Sequence, residues 1–247
     1  MSAPGTTVHL VRHGEVYNPH GVLYGRAPGY RLSRRGEAMA DRVGEALATR
    51  DVVAVTASPL ERAQQTAGPL AALLGLEIGT DERIIESENF FEGARFTIRR
   101  GLLLNPQAWP KLWNPFRPSW GEAYDEVAAR MWAAVLDARA AAEGHEAVLV
   151  SHQLPVWVCR LHAEGRRLWH DPRSRQCTLC SVTSVVFGGE DGTDVVAVGY
   201  AEPAADLIPV ADRRANFSSG GAGEMLPGVA PGSEQEEAAE AEVDGPR

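Results

Sequence analysis

The sequence is poor in cysteine, with three in 247 residues. That excludes a disulfide-stapled scaffold and fits a reducing compartment. It has no apolar run approaching the ~18 residues that a membrane-crossing helix needs. The longest runs, such as Ala147–Val150 and Val195–Val198, are strand-sized. The N-terminal residues Met1–Gly5 lack the basic region and apolar stretch of a secretory leader. A soluble cytoplasmic protein is therefore expected. Positive charge is also short, with 24 Lys and Arg against 33 Asp and Glu, a net charge of −9. Such a balance argues against nucleic acid or an anionic membrane as partner.

What is present suits a globular body. Apolar residues make up 44% of the chain, enough for a sizeable core in one large domain or two small ones. Charged residues, at 23%, set the whole apart from disordered chains. From about Ser218 the composition changes to Gly, Ala and clustered acids. Residues 218–247 hold seven acids and one Arg, so this tail carries −6 of the net charge. It cannot bury enough apolar surface to offset its ordering entropy, and a disordered, solubilising acidic tail is expected. The body is taken as residues 1–210.

Strand-like and helix-like segments alternate along the body. Thr7–Val11 is a β-rich run that stops at Arg12-His13-Gly14. Ser33 can cap a helix to about Thr49, with Met39, Val43, Ala46 and Leu47 as its apolar stripe. Asp51–Thr56 reads as a buried strand. Pro59 suits the first turn of a helix running to Leu74, where Gly75 ends it. A long helix over Glu122–Glu143, a strand over Ala147–Ser151, a helix over Pro155–His162 and strands at Ser181–Phe187 and Val195–Tyr200 follow. This order predicts an α/β fold, a three-layer αβα sandwich around a mostly parallel sheet. Residues 94–120 interrupt the rhythm with Arg95, Arg99, Arg100, Lys111 and Arg117 among Trp109, Trp113, Phe116 and Trp120. Prolines at 106, 110, 115 and 118 forbid one continuous helix. The segment reads as an inserted lid or substrate-facing loop, or else as a packed surface excursion.

Chemistry is expected where strands end, because ligands of open α/β sheets bind beyond the carboxyl ends of strands. His13 follows one strand as V-R-H-G-E, and His152 follows another as V-S-H-Q. Arg12 adjoins His13, and Arg62 lies one turn into a helix in S-P-L-E-R-A-Q-Q-T. Two Arg and two His converging on one spot repel one another unless an anion joins them. A phosphoryl dianion fits, since guanidinium groups match phosphate oxygens and stay charged. A neutral imidazole is a competent nucleophile toward phosphorus, and Gly14 allows the close backbone approach that would orient it. The departing alkoxide needs a proton. Glu86, in R-I-I-E-S-E-N-F-F-E-G, is the candidate acid, with Glu88 and Glu92 as competitors.

Together L-V-R-H-G-E, S-P-L-E-R-A-Q-Q-T-A, an acid before F-E-G, and V-S-H resemble the histidine phosphatase superfamily, also called the phosphoglycerate-mutase-like family. The resemblance spans about residues 7–200. It implies that fold, a phosphohistidine intermediate on His13 and no metal or other cofactor. It further implies a phosphoryl grip by Arg12, Arg62 and His152, proton donation by Glu86 and a pocket-lining role for Asn18. The mutase signature E-R-x-Y-G is absent, which favours a phosphatase acting on a small phosphorylated substrate over a phosphoglycerate-type mutase. A non-catalytic module that binds a phosphorylated ligand is the rival of another class. It has no need of a nucleophilic imidazole.

Other features read more plainly. His9 and His13 share a strand face but stand too far apart to hold one metal ion. Cys177-Thr-Leu-Cys180 is expected to be two ordinary thiols. His20, His145, His162 and His170 are expected to be surface or packing residues.

Overall fold

The computed structural model describes residues 5–88 and 121–208. The 94–120 segment, the 218–247 tail and Glu92 lie outside them. The described strands form one six-stranded sheet in the order β3-β2-β4-β1-β5-β6. In chain order these are β1 (Thr6–Arg12), β2 (Val52–Ala57), β3 (Ile78–Thr80), β4 (Glu146–Ser151), β5 (Val182–Gly188) and β6 (Asp194–Ala201). Strands β3, β2, β4 and β1 run parallel to their neighbours, while β5 and β6 join antiparallel. The helices are α1 (Arg34–Ala48), α2 (Glu61–Leu74), α3 (Tyr124–Ala141) and α4 (Gln153–Ala163). No helix among the described residues is long and apolar enough to cross a membrane.

Strand alternation sends side chains to opposite faces, and each face has its own core. Val11, Val55, Val148 and Val150 meet Met39, Val43 and Leu47 of α1 and Ala63, Ala67 and Leu70 of α2. On the other face Val8, Leu10, Leu149, Val185 and Phe187 meet Val127, Met131 and Val135 of α3 and Val156 and Val158 of α4. Each such fully buried aliphatic side chain contributes about 1.5–3 kcal/mol of hydrophobic stabilisation. The three-layer αβα expectation is met. β1 is buried at all seven positions because it lies mid-sheet with helices on both sides.

Local signals explain the element ends. Ser33 caps α1 by accepting from the Gly36 amide at 3.0 Å. Gly75 ends α2 in the left-handed region at φ 66°, where a side chain is strained. Three local expectations need correction. Pro59 lies before α2, whose first residue is Glu61, and the proline within the helix is Pro69. Ala46 is exposed, and the buried stripe of α1 is Gly36, Met39, Ala40, Val43, Gly44 and Leu47. β2 is not buried throughout, since Val53 is 39% exposed. Its far neighbour β3 is only three residues long and covers little of it.

Candidate active site

Register builds the site. Arg12 at the end of β1 pairs with Ser151 at the end of parallel β4. The next residue of each strand is a histidine, so His13 and His152 leave the sheet side by side, with ring centroids 5.1 Å apart. β2 ends one strand over, where Ala57 pairs with Val150. It delivers Ser58, whose Oγ lies 2.8 Å from His152 Nε2. Arg62 follows as the second residue of α2. Residues from three distant stretches thus converge because three parallel strands stop at one level.

The His13 ring is held by its own backbone. Its Nδ1 lies 2.8 Å from the Gly14 carbonyl oxygen. A carbonyl only accepts, so Nδ1 carries the proton and Nε2 keeps its lone pair. The Gly14 amide donates to Thr66 Oγ1 at 3.0 Å, and that hydroxyl donates to the Arg62 carbonyl at 2.7 Å. The His13 turn is therefore fastened to the first turn of α2. A Cβ on Gly14 would stand 2.6 Å from the Gly36 carbonyl oxygen, so the close approach expected at this glycine is real.

Both arginines are buried and oriented. Arg12 donates through Nη1 to the Cys177 carbonyl at 2.7 Å. Arg62 donates through Nη2 to the Gly25 carbonyl at 2.6 Å and lies 4.7 Å from the centre of the Tyr24 ring. Burial holds the His13 and His152 pKa values well below 6.5, and the Arg62 and Arg12 charges lower them further. Both imidazoles are neutral near pH 7. His152 Nδ1 is buried with no partner among the described residues, as a group facing a ligand would be. The Ser58 hydroxyl accepts weakly from the Leu60 amide at 3.4 Å and lies within hydrogen-bond distance of His152 Nε2. When it donates to that nitrogen, the His152 proton sits on Nδ1, facing the pocket.

The low histidine values carry a stability consequence. Below pH 6.5 the unfolded chain protonates these imidazoles, while the folded chain resists until its lowered values are reached. Their contribution is complete above 6.5 and is lost as pH falls below it. The thermal unfolding midpoint is expected to drop between about pH 7 and about pH 5.5. A midpoint that holds steady or rises over that range would contradict the neutral-imidazole reading.

The acid candidates separate clearly. Glu86 follows the short helical turn Glu82–Ile84 after β3 and is half-buried. Burial raises its pKa, against the Ser87 amide that donates to it and the Arg62, Arg175 and Arg12 charges. Glu88 instead is 71% exposed and paired with Arg26 at 3.0 Å. Asn18 is buried, but its amide closes the following loop: Nδ2 donates to the Val22 carbonyl and Oδ1 accepts from the Val22 amide. His9 bonds Ser184 through Nδ1 and Glu146 through Nε2, each at 2.8 Å.

Sequence reasoning missed several contributors. Tyr24 stacks on Tyr30 and carries Arg62 on its face. Glu15, wholly buried, accepts from Ser33 Oγ at 2.6 Å and from Arg35, tying the R-H-G-E turn to α1. Arg175 is buried near Glu86 and donates to His170. His170 therefore has a task beyond packing. Only the buried Glu of R-H-G-E had a local signal, a carboxylate two residues after His13. The rest depend on contacts far apart in sequence.

Known proteins resemble this chain to different degrees. A family model described as the histidine phosphatase superfamily (branch 1) matches residues 8–199. A Mycobacterium tuberculosis protein, "Uncharacterized protein Rv0525", is 57% identical over 200 residues, covering 81% of this chain and 98% of its own. A "Probable phosphoglycerate mutase GpmB" of Enterobacter is 31% identical over 159 residues, covering 59% of this chain and 68% of its own. Among solved structures, Bacillus stearothermophilus YhfR superposes with a TM-score of 0.66 at 27% identity, over 78% of this chain and 96% of that one. The mycobacterial glucosyl-3-phosphoglycerate phosphatase Rv2419c shares the fold, with a TM-score of 0.61 at 24% identity, over 80% and 96% of the two chains. The chain belongs to branch 1 of the histidine phosphatase superfamily.

Proposed function

We propose that the protein is a metal-independent phosphatase that hydrolyses a small phosphate monoester through a phosphohistidine on His13. The observation that carries this reading is the His13 ring. Its Nδ1–H is tied to Gly14, it stays neutral near pH 7, and Arg12, Arg62 and His152 surround it. Nε2 attacks phosphorus in line as the P–O bond to the alcohol breaks. Arg12, Arg62 and the His152 Nδ1–H spread the charge on the equatorial oxygens, and Asn18 holds the adjoining loop in place. Glu86 gives its proton to the departing oxygen. The resulting carboxylate then takes a proton from water, which attacks the phosphohistidine and releases phosphate. The free thiols fit the reducing cytoplasm.

Phosphate release from 4-nitrophenyl phosphate in excess chelator tests the proposal. Release should proceed, and a quench in alkali should trap an acid-labile phosphoenzyme. Binding of phosphate esters with no release of phosphate from any of them would favour the binding module instead. Conversion of 3-phosphoglycerate to its 2-isomer without phosphate release would favour a mutase, the activity named for the GpmB relatives.

The role of Glu86 makes a separate prediction. Glu86→Gln should lower kcat on alkyl phosphates by about 10²–10⁴-fold, and much less on 4-nitrophenyl phosphate, whose leaving group needs no proton. Because the Glu86 pKa is raised, the acid form survives above the usual carboxylate range and is lost as pH rises through the raised value. The basic limb of the alkyl-phosphate profile should vanish in the variant. Equal losses on both leaving groups would remove Glu86 from this role.

A further inference from the structure

After β3 and the helical turn Glu82–Ile84, the chain runs irregularly to Glu88. A connecting segment of this kind ordinarily leaves its backbone acceptors to water. Here side chains from elsewhere take them. Arg130 Nη1, from α3, donates to the Arg83 carbonyl at 2.6 Å and to the Ile85 carbonyl at 2.7 Å. Between them, the Ile84 carbonyl accepts at 2.6 Å from the hydroxyl of Ser151, the residue before His152. The Glu86 carbonyl accepts from Arg26 Nε at 2.7 Å. Four successive carbonyls, 83 to 86, are thus held from outside the segment.

Arg26 also belongs to the turn that holds Arg62. The Gly25 carbonyl accepts from Arg62 Nη2 at 2.6 Å, and the Tyr24 ring lies under the same guanidinium. The Ala27 amide closes the turn on the Tyr24 carbonyl at 2.7 Å, with Gly25 at φ 40°. One tight turn therefore takes Arg62 on its backbone and the backbone of Glu86 on its side chain.

Arg26 is itself anchored. Nη2 donates to Glu122 Oε2 at 3.1 Å and Nη1 to Glu88 Oε1 at 3.0 Å. The Glu122 carboxylate also accepts from Arg130, through Nε at 2.6 Å and Nη2 at 3.0 Å. It is 14% exposed, so water screens it poorly. A single carboxylate joins the two guanidiniums that hold the segment. The Glu86 carboxyl follows this backbone, because its Oε1 accepts from the adjoining Ser87 amide at 2.9 Å.

We propose that Arg26 is a positioning residue: anchored through Glu122 to Arg130, it holds the Glu86 carboxyl at a fixed distance from the phosphoryl group that Arg62 grips. This deepens the phosphatase reading and rests on the role given there to Glu86. Proton transfer requires hydrogen-bond reach to the departing oxygen, and a displacement of about 1 Å costs on the order of 10²-fold.

The test compares glycerol 3-phosphate, whose leaving alkoxide needs a proton, with 4-nitrophenyl phosphate, whose phenolate does not. Arg26→Gln should lower kcat by about tenfold or more on the first and by less than about threefold on the second, with little change in KM. Arg26→Lys should recover part of the loss. A brace that only stabilised the fold would cost both esters alike, so the ratio is taken within each variant. In the Glu86→Gln background, Arg26→Gln should add no further loss on glycerol 3-phosphate. An unchanged ratio, or an undiminished effect in that background, overturns the proposal while Glu86 keeps its role. If wild-type protein releases phosphate from neither ester, the phosphatase reading fails. Carbon-13 NMR titration of the Glu86 carboxyl, identified by its absence in Glu86→Gln, then decides the placement. In the wild type it should titrate above the usual carboxylate range. Released to water in Arg26→Gln it should fall back toward that range, whereas loss of a nearby positive charge alone would raise it further. A value that holds or rises overturns the proposal.

Discussion

His13→Ala should lose at least about 10⁴-fold in kcat on 4-nitrophenyl phosphate, with little change in KM. Arg12, Arg62 and His152 remain to hold the phosphoryl group, so binding persists while the covalent step disappears. The alkali quench should trap no phosphoenzyme. The fold should survive, because the Gly14 turn is held by Thr66 and Glu15 rather than by the imidazole. Removing a buried ring that faces two guanidiniums also relieves no favourable ion pair. Turnover at the parent rate in this variant would end the phosphohistidine mechanism.

Gly36→Ala should be the most damaging of the small substitutions. A Cβ there would stand 2.0 Å from the Glu15 carbonyl oxygen and 3.0 Å from the Glu15 amide nitrogen. The obstacle is backbone, which cannot rotate aside as a side chain can. That carbonyl is also committed, accepting from the Ser33 amide at 2.9 Å. The added methyl must push the start of α1 away from the turn that carries His13. We expect a loss of about 3 kcal/mol or more, near the top of the range for overpacking. For a chain of this size that lowers the melting midpoint by about 6–12 °C. Activity of the remaining folded protein should fall through kcat, because the displaced turn carries His13, the proposed nucleophile. Calorimetric melting within a degree of the parent would show that α1 and the turn can part freely.

The two central strands and their histidines were readable in the sequence for a physical reason. β1 and β4 are buried on both faces, so they appear as the β-rich runs V-H-L-V and A-V-L-V, and the chain changes character abruptly at Arg12 and His152. Arg62 was legible because the segment between β2 and α2 is short and fixes its distance from the strand end. β3 left no pattern, since a three-residue strand with an exposed face needs no apolar run. Tyr24 and Arg175 were equally silent. Each comes from an irregular segment, and the group that orients it, Arg62 for one and His170 for the other, is chosen by the fold. Choosing Glu86 over Glu88 likewise needed the third dimension. The two acids are neighbours in the chain, yet one turns inward while the other pairs with Arg26 at the surface.

The three thiols bear on how the protein meets oxidative stress. Cys159, Cys177 and Cys180 are all buried, and burial pushes the first and last up to about 12 while raising Cys177 as well. Almost none of the sulfur is then thiolate at neutral pH, and thiolate is the form that peroxide or iodoacetamide attacks. The proposed phosphate-ester hydrolysis needs no sulfur nucleophile. Concentrations of hydrogen peroxide that silence cysteine-dependent phosphatases should leave this catalyst running.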